Sequence, residues 1–458
     1  MARNFHLHAG FATLDQEIKP PLSSDEAHAE ANRCLFCYDA PCTRACPTHI
    51  DVPLFIQQIA TGNTAGSART IFAQNVLGHS CARVCPTEVL CEGACVLNDQ
   101  HRPINIGSLQ RFATDHALSR GLPIVRAAAK KSAATVGIIG GGPAGLACGA
   151  ELLRLGYGSV IYEQAPSPGG LNTYGVAQYK MTPRVSLAEV EALTRAGLDI
   201  RCGVRVGKDV SLAELEARHA ALFVGVGMGA IPGIGLPGED HPQVWDALEF
   251  IALLKSSGAA AGANGAAAER LRQGLAGAAV AVIGGGNTSI DVVTQAVRAG
   301  AKKVWLLYRK GPSDMPAYAH EVHLALEHGT ELVYYARPEK IVAADAQTLR
   351  GVALQVVHAD GAVANSGEGA TGSAILECQI VVRATGQRGA ELVTGLPIKS
   401  ERGIVQVDAC GRTSNPRYYA GGDCVSGGQE VVNAVEAGKR AAQAMVQDIL
   451  GKLPQAAA

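Results

Sequence analysis

The amino-acid sequence predicts an α/β protein in which an all-helical N-terminal domain precedes two Rossmann-like dinucleotide-binding domains, the second inserted within the first. Three observations predict it. A pattern of short apolar strand, glycine turn, helix and second strand occurs twice, in TVGIIGGGPAGLACGAELLRLGYGSVIYE and in AVAVIGGGNTSIDVVTQAVRAGAKKVWLLYR. Eight of the 13 cysteines fall between Cys34 and Cys95. The stretch DVPLFIQQIATGNTAGSARTIFAQN between them has helical apolar spacing and no strand run long enough to build a sheet.

These patterns set the expected boundaries. Residues 1–131 form the helical domain, residues 132–250 and 385–458 the first dinucleotide-binding domain, and residues 251–384 the second. VRAAAKKSAA, residues 125–134, reads as an exposed connection. The Ala/Gly-rich stretch at 256–278 reads as a surface insertion or loop of no catalytic interest.

Composition excludes several classes. The 458 residues are 47% hydrophobic and 18% charged, enough for a large buried core. A formal net charge of -1 leaves no basic excess for nucleic acid or an acidic membrane surface. No run approaches the roughly 18 apolar residues that cross a bilayer, and MARNFHLHAGFATLDQEIKPP lacks an apolar export segment, so a cytoplasmic protein is expected. Disulfides are disfavoured there, which turns the clustered cysteines toward metal ligation or redox work. Cys148, Cys202, Cys378, Cys410 and Cys424 are scattered and read as small core residues.

In the first repeat, Gly140, Gly142 and Gly145 sit between strand and helix, and Glu163 ends the next strand. The glycines permit a tight turn, backbone approach to a pyrophosphate and close helix packing. The helix N-terminus offers free N–H groups to phosphate, and the acid can accept from a ribose. The second repeat has Gly284, Gly286 and Ser289, and its second strand runs into Arg309 and Lys310 where the first repeat has an acid. A basic pair there can take a ribose 2'-phosphate, favouring NADP over NAD; a solvated strand end is the competing reading, and the choice stays open.

Two such units, with PGGL at 168–171 and AGGD at 420–423, resemble the two-dinucleotide-domain flavoproteins related to disulfide reductases. The resemblance implies FAD on the first unit and C-terminal segment, through Gly140, Gly142, Pro143, Ala144, Gly145, Glu163, Gly170, Leu171, Lys180, Val206, Gly422, Asp423 and Val431. It implies NAD(P)H on the second, through Gly284, Gly285, Gly286, Asn287, Thr288, Ser289, Arg309, Lys310, Ala384, Thr385 and Gly386. No CxxC lies near the flavin segments, so electrons must leave by another route than a redox disulfide.

The cysteines are spaced Cys34-x2-Cys37-x4-Cys42-x3-Cys46-Pro47 and Cys81-x3-Cys85-Pro86-x4-Cys91-x3-Cys95. The first run is of ferredoxin type, in which three close cysteines ligate one cluster and a fourth, before Pro, ligates another, so two 4Fe-4S clusters are expected. Structural zinc is the competing reading of short paired spacings. By spacing alone Cys81 is the eighth ligand.

CLFCYDAPCTRACPTHID, CARVCPTEVLCEGAC and PINIGSLQRFATD resemble the N-terminal domain shared by glutamate synthase small subunits and dihydropyrimidine dehydrogenases. In the latter, the matching residues imply Cys34, Cys37, Cys42 and Cys95 on one 4Fe-4S cluster, and Cys46, Cys85, Cys91 and the side chain of Gln110 on the other. Glutamate synthase-type chains tend to carry Glu at the position of Gln110, which tilts the resemblance toward pyrimidine metabolism. Two departures stand out: Lys180 replaces an Arg, and GPSDMPA lacks a second Arg expected for the 2'-phosphate. The chain ends at Ala458, before the FMN barrel of the long enzymes, and so resembles the separate flavin and iron-sulfur subunit of two-subunit dihydropyrimidine dehydrogenases.

That resemblance implies passage of electrons from NAD(P)H through FAD and two 4Fe-4S clusters to an FMN and iron-sulfur partner subunit in a heterotetramer, for reduction of uracil or thymine. No catalytic side chain is expected, because the cofactors carry hydride transfer. The alternative is a glutamate synthase small subunit. A non-enzymatic docking module would not need both glycine turns intact. If Arg309 reads the 2'-phosphate, Arg309→Ala raises KM for NADPH roughly tenfold, the worth of one charge-assisted hydrogen bond, and leaves KM for NADH nearly unchanged. Steady-state kinetics with both nucleotides checks this, and equal effects would refute it.

Overall fold

The computed structural model describes residues 14, 16–100, 102–255, 265–356 and 374–452. The chain divides into two compact units: Lys19–Tyr174, Pro183–Gly229 and Arg388–Ala458 form one, and Met1–Ile18, Gly175–Thr182 and Ala230–Gln387 the other.

The first unit opens with six helices: α1 (Ser24–Ala31), α2 (Pro41–Arg44), α3 (Val52–Ala60), α4 (Thr64–Gln74), α5 (Gly78–Val84) and α6 (Ile106–Ser119). Local chemistry starts them where it should. Ser23 and Glu26 form a capping box on α1, Asp51 accepts from Leu54 N–H ahead of α3, and Asn63 accepts from Gly66 N–H ahead of α4. In α3, Val52, Phe55, Ile56 and Ile59 recur at helical spacing and are all buried. Strand β1 (Thr135–Ile139), helix α7 (Pro143–Leu155) and β2 (Gly158–Glu163) then form the first glycine-turn unit, followed by α8 (Leu171–Tyr174), α9 (Pro183–Arg195), β3 (Asp199–Cys202), α10 (Leu212–Arg218) and β4 (Ala221–Val224).

The second unit holds β5 (Val244–Asp246), α11 (Ala247–Lys255), α12 (Gly265–Leu275), β6 (Ala279–Gly284), α13 (Asn287–Arg298), β7 (Lys303–Leu307), α14 (Ala319–Glu327) and β8 (Glu331–Val333). Strands β9 (Ala336–Ala343), β10 (Leu349–Val356) and β11 (Ala374–Glu377) make an antiparallel three-stranded sheet, and β12 (Ile380–Ala384) returns to the parallel one. The parallel sheet has the order β5-β12-β6-β7-β8. Its topological switch lies at β6, where crevices for nucleotides form.

Two expectations from sequence are corrected here. The boundary at 250 falls near 230, because β5 pairs with β12 in the second sheet, and residues 175–182 also belong to the second unit. Within the stretch expected as a loop, residues 265–275 form α12, burying Ala268, Leu271 and Leu275 at helical spacing; residues 256–264 lie outside the described residues.

The chain closes the first unit with α15 (Glu391–Thr394), β13 (Ser400–Glu401), β14 (Ile404–Val405), β15 (Tyr418–Ala420), α16 (Asp423–Ser426) and α17 (Val431–Asp448). The parallel order is β15-β4-β1-β2-β3. Helical region and sheet region share one apolar core, running from Phe55, Ile71 and Leu109 to Ile138, Leu152 and Met445. Arg154 adds donors to the carbonyls of Phe72 and Ala73 at the end of α4. Of the scattered cysteines, Cys148, Cys378 and Cys424 are buried as expected, whereas Cys410 is half-buried and Cys202, on edge strand β3, is exposed. Among the described residues no helix is long and apolar enough to cross a membrane.

Helices α7 and α17 touch through Gly438, where a β-carbon would lie 2.1 Å from the Ala144 carbonyl oxygen and 3.0 Å from Cys148 N. Both neighbours are backbone and cannot turn aside. Gly438→Ala should therefore cost about 1–3 kcal/mol through overpacking and lower Tm by roughly 5 °C in a thermal melt. An unchanged Tm would show that the helices separate at no cost.

Candidate cofactor and electron-transfer site

Cys42 lies in α2 and Cys81 in α5, and the other N-terminal cysteines sit on the turns and loops beside these short helices. Phe36 adopts φ 49° between Cys34 and Cys37, a left-handed conformation that bends the loop sharply. Cys34, Cys37, Cys42 and Cys95 line a single cavity with Pro41, Val52, Ile56, Ile104 and Ile106. Burial pushes the Cys42 thiol up to about 12, and the sulfurs of Cys34 and Cys95 add to the shift. Burial also raises the Cys34 thiol, with Cys37 and Cys95 contributing. Thiolates gathered in an apolar pocket repel one another, so the deprotonated set needs bound cations, which is the donor chemistry of an iron-sulfur cluster.

The second group gathers around α5. Cys85 ends that helix, and its thiol is raised well above the usual range by a hydrogen bond with Cys81, by burial, and by Cys91 and Cys46. Burial, Glu92, Cys46 and Cys42 raise Cys91 likewise. Cys46 Sγ lies 3.3 Å from Thr48 Oγ1. Gln110, on α6 and nearly buried, donates from Nε2 to the Gly78 carbonyl at 2.7 Å. That bond uses the amide nitrogen, so the oxygen is the atom of this side chain that could ligate a metal. Both candidates for the eighth ligand are thus tied to α5, Cys81 within it and Gln110 at its first residue. Among the described residues no three His, Cys, Asp or Glu side chains are grouped to hold one metal ion.

The first glycine turn is shaped by backbone proximity. Gly140 has φ 104°, and a β-carbon there would lie 2.4 Å from the Gly225 carbonyl oxygen; one at Gly145 would lie 2.0 Å from the Gly140 oxygen. Gly142 caps α7, with Pro143 and Ala144 opening the helix, and Gly170 approaches Gly142 so closely that a β-carbon on it would be 2.8 Å from the Gly142 Cα. Glu163 accepts from Gly141 N–H and Ala165 N–H, each at 2.7 Å, so the acid already stands at the turn. Leu171 starts α8, exposed, and Val206 is buried and bridged to Val210. Gly422 has φ 77° ahead of α16, where Asp423 accepts from Gln429 N–H at 3.1 Å, and Val431 opens α17. Burial raises the Asp423 carboxyl. Lys180 lies in the other unit, where its ammonium meets Asp291 and Glu321, each at 2.7 Å.

In the second unit, β6 ends at Gly284, where a β-carbon would lie 2.4 Å from the Ala384 carbonyl oxygen. A β-carbon at Gly286 meets nothing within 4 Å, so packing does not explain the glycine, and the open space there would admit a pyrophosphate. The α13 N-terminus follows with Asn287, Thr288 and Ser289; Asn287 Oδ1 accepts from Tyr318 N–H at 3.0 Å and Ser289 donates to the Gly286 carbonyl at 2.5 Å. Thr385 and Gly386, φ 95°, continue from the end of β12. Arg309 and Lys310 are exposed just beyond β7, and neither has an ion-pair partner among the described residues.

Several groups escape sequence reading. The Tyr308 ring lies against Gly285, where a β-carbon would come within 2.5 Å of it. Tyr179 donates to Asp291 at 2.9 Å, and buried Lys255, lowered by burial to about 7, donates to the Val176 carbonyl at 2.6 Å. The only sequence signal for Asp291 is an acid between Ile290 and Val292 on a buried helix face.

Residues 134–438 match the family described as pyridine nucleotide-disulphide oxidoreductase, and residues 12–122 the one described as dihydropyrimidine dehydrogenase domain II, 4Fe-4S cluster. The glutamate synthase [NADPH] small chain of Escherichia coli is 33% identical over 441 residues, 94% of this chain and 93% of that one. The NAD-dependent dihydropyrimidine dehydrogenase subunit PreT of Escherichia coli is 33% identical over 433 residues, 94% and 96% respectively. Among solved structures, thioredoxin reductase of T. acidophilum superposes with TM-score 0.53 at 21% identity, over 68% of this chain and 97% of that one, a likeness of fold. Cys91→Ala should halve the iron content and slow delivery to a protein acceptor while leaving nicotinamide-to-dye activity within about twofold. Iron analysis of the purified variant checks this, and unchanged iron would contradict the ligand assignment.

Proposed function

Because the chain belongs to the pyridine nucleotide-disulphide oxidoreductase family and is a flavin and iron-sulfur electron-transfer oxidoreductase, we propose that it is the electron-input subunit of a dihydropyrimidine dehydrogenase. Two electrons from NAD(P)H pass toward a partner subunit, the accompanying proton going to solvent, and there uracil or thymine takes up two electrons and two protons from solvent to give the 5,6-dihydro product. The observation that carries the reading is Gln110: it is nearly buried and oriented by Gly78, at the position where the resemblance to dihydropyrimidine dehydrogenases calls for an amide ligand.

FAD supplies the conversion of a two-electron hydride into single electrons, and 4Fe-4S clusters accept those electrons one at a time. The protein's own part is binding and orientation. Gly140, Gly142 and Gly145 let backbone N–H groups reach the FAD pyrophosphate, Glu163 holds the ribose, and Asp423 stands at the second glycine-rich turn. Gly284 and Gly286 do the same for the nicotinamide nucleotide, with Arg309 and Lys310 exposed at the strand end that follows. Cys34, Cys37, Cys42 and Cys95 hold one cluster, and Cys46, Cys85, Cys91 and Gln110 the other. The proposed acceptor is an FMN and iron-sulfur subunit, two copies of each chain forming a heterotetramer in the cytoplasm.

A second reading, electron supply to a glutamate synthase, is favoured by the equal identity to the Escherichia coli small chain. Coexpression with each class of partner separates them. Anaerobic NADH or NADPH should bleach the flavin of the isolated chain, and only the FMN-containing partner should confer uracil-dependent nucleotide oxidation. Oxidation that requires glutamine and 2-oxoglutarate would overturn the pyrimidine assignment; no bleaching by either nucleotide would overturn electron input itself.

A further inference from the structure

Helix α5 is not capped by its own sequence. Leu77 precedes it and offers no side-chain acceptor; the Asn75 carbonyl takes the Gly78 N–H, and the N–H groups of His79 and Ser80 are left to be met in the core. They are met from 110 residues away. Glu189, on α9, accepts through Oε1 from His79 N–H at 2.8 Å and Ser80 N–H at 3.2 Å, and through Oε2 from the Ser80 hydroxyl. Its side chain is fully buried. A carboxylate there both satisfies the orphan donors and faces the positive end of the helix.

The same turn leads to the candidate ligands. Gly78, the first residue of α5, accepts from Gln110 Nε2, Cys81 lies one turn on, and Cys85 ends the helix. The neighbouring charges close on Asp115, which takes His79 Nε2 at 2.7 Å, Arg83 at 2.8 Å and Arg111 at 3.3 Å. Glu189 is a second buried acid beside that group: burial raises its carboxyl, while His79 and the hydrogen bonds from Ser80 and His79 favour its charged form, and it is carried by the flavin-binding part of the chain and fastened to the cluster-binding part.

We propose that Glu189 is a positioning residue for the iron-sulfur site of Cys46, Cys85, Cys91 and Gln110: it fixes the first turn of α5, and through Gly78 the Gln110 amide, and its buried charge sets that site's reduction potential. The proposal rests on the two-cluster reading above. A negative charge held near a cluster opposes the arrival of an electron, so its removal makes reduction easier.

The test is a redox titration of the full-length chain followed by electron paramagnetic resonance, with Cys91→Ala marking which signal belongs to this site. Glu189→Gln should keep the wild-type FAD content and shift that signal's midpoint positive by on the order of tenfold in its reduction equilibrium, about 59 mV for one electron, while the other cluster stays put. Glu189→Asp, which keeps the charge on a shorter arm, should return most of the midpoint and alter the line shape of the Cys91-dependent signal alone. If Glu189→Gln does not accumulate, that line shape carries the test. Unmoved midpoints, equal shifts in both clusters, or a wild-type line shape in Glu189→Asp would overturn the proposal alone. Fewer than two clusters in the unaltered chain would overturn the two-cluster reading and the proposal with it.

Discussion

A carbonyl oxygen 2.0 Å from where a β-carbon would sit at Gly145 is the contact on which the first unit depends. The strand that ends before Gly140 can pass directly into α7 only if nothing projects between them, and the N-terminus of α7 stands at that turn because the passage is so short. The constraint recurs where α17 crosses α7 at Gly438, and in the second unit where β6 meets β12 at Gly284. Each removes a side chain so that backbones can touch. Gly286 differs, having open space where a side chain would go.

The cysteine region obeys a different constraint. Its helices are short, and α2 has no buried residue of its own, so the region draws its stability from the core it shares with the sheet. Burial makes the Cys34, Cys42, Cys85 and Cys91 thiols hard to ionise, and their neighbours make it harder. Bound iron reverses that balance by supplying positive charge to the gathered sulfurs, so cofactor binding and local order are linked. Asp115 belongs to the same economy of charge: burial works to raise its carboxyl, but His79 and Arg83 outweigh it and hold it well below the usual carboxylate range. As pH falls toward that lowered value, the stability it contributes is lost.

Both dinucleotide units were legible in the sequence because their turns use residues with no substitute. A φ of 104° at Gly140 admits glycine and little else, and such positions announce themselves. The cysteine groups were legible for the same reason, since few residue types ligate iron. Residues 265–275 were not, because alanine and glycine describe a linker as well as a helix until Leu271 and Leu275 find a surface to bury against. The limits of the second unit were hidden too, because a three-residue strand such as β5 has no period long enough to reveal which sheet it joins.

Sequence by itself determined where the two glycine turns fall, that eight sulfurs cluster between Cys34 and Cys95, and that a basic pair follows β7. Tertiary structure alone decided the company those residues keep. Glu189 is one acid in a helix that buries Val185, Val190 and Leu193, and Asp291 one acid between buried aliphatics. Lys180 lies in a segment whose sequence neighbours build the other unit. Their partners are 109 or more residues away, reached by hydrogen bonds and by ion pairs. Such partners leave no periodic trace, because a backbone donor is the same at every residue and only folding brings a particular one to the acid.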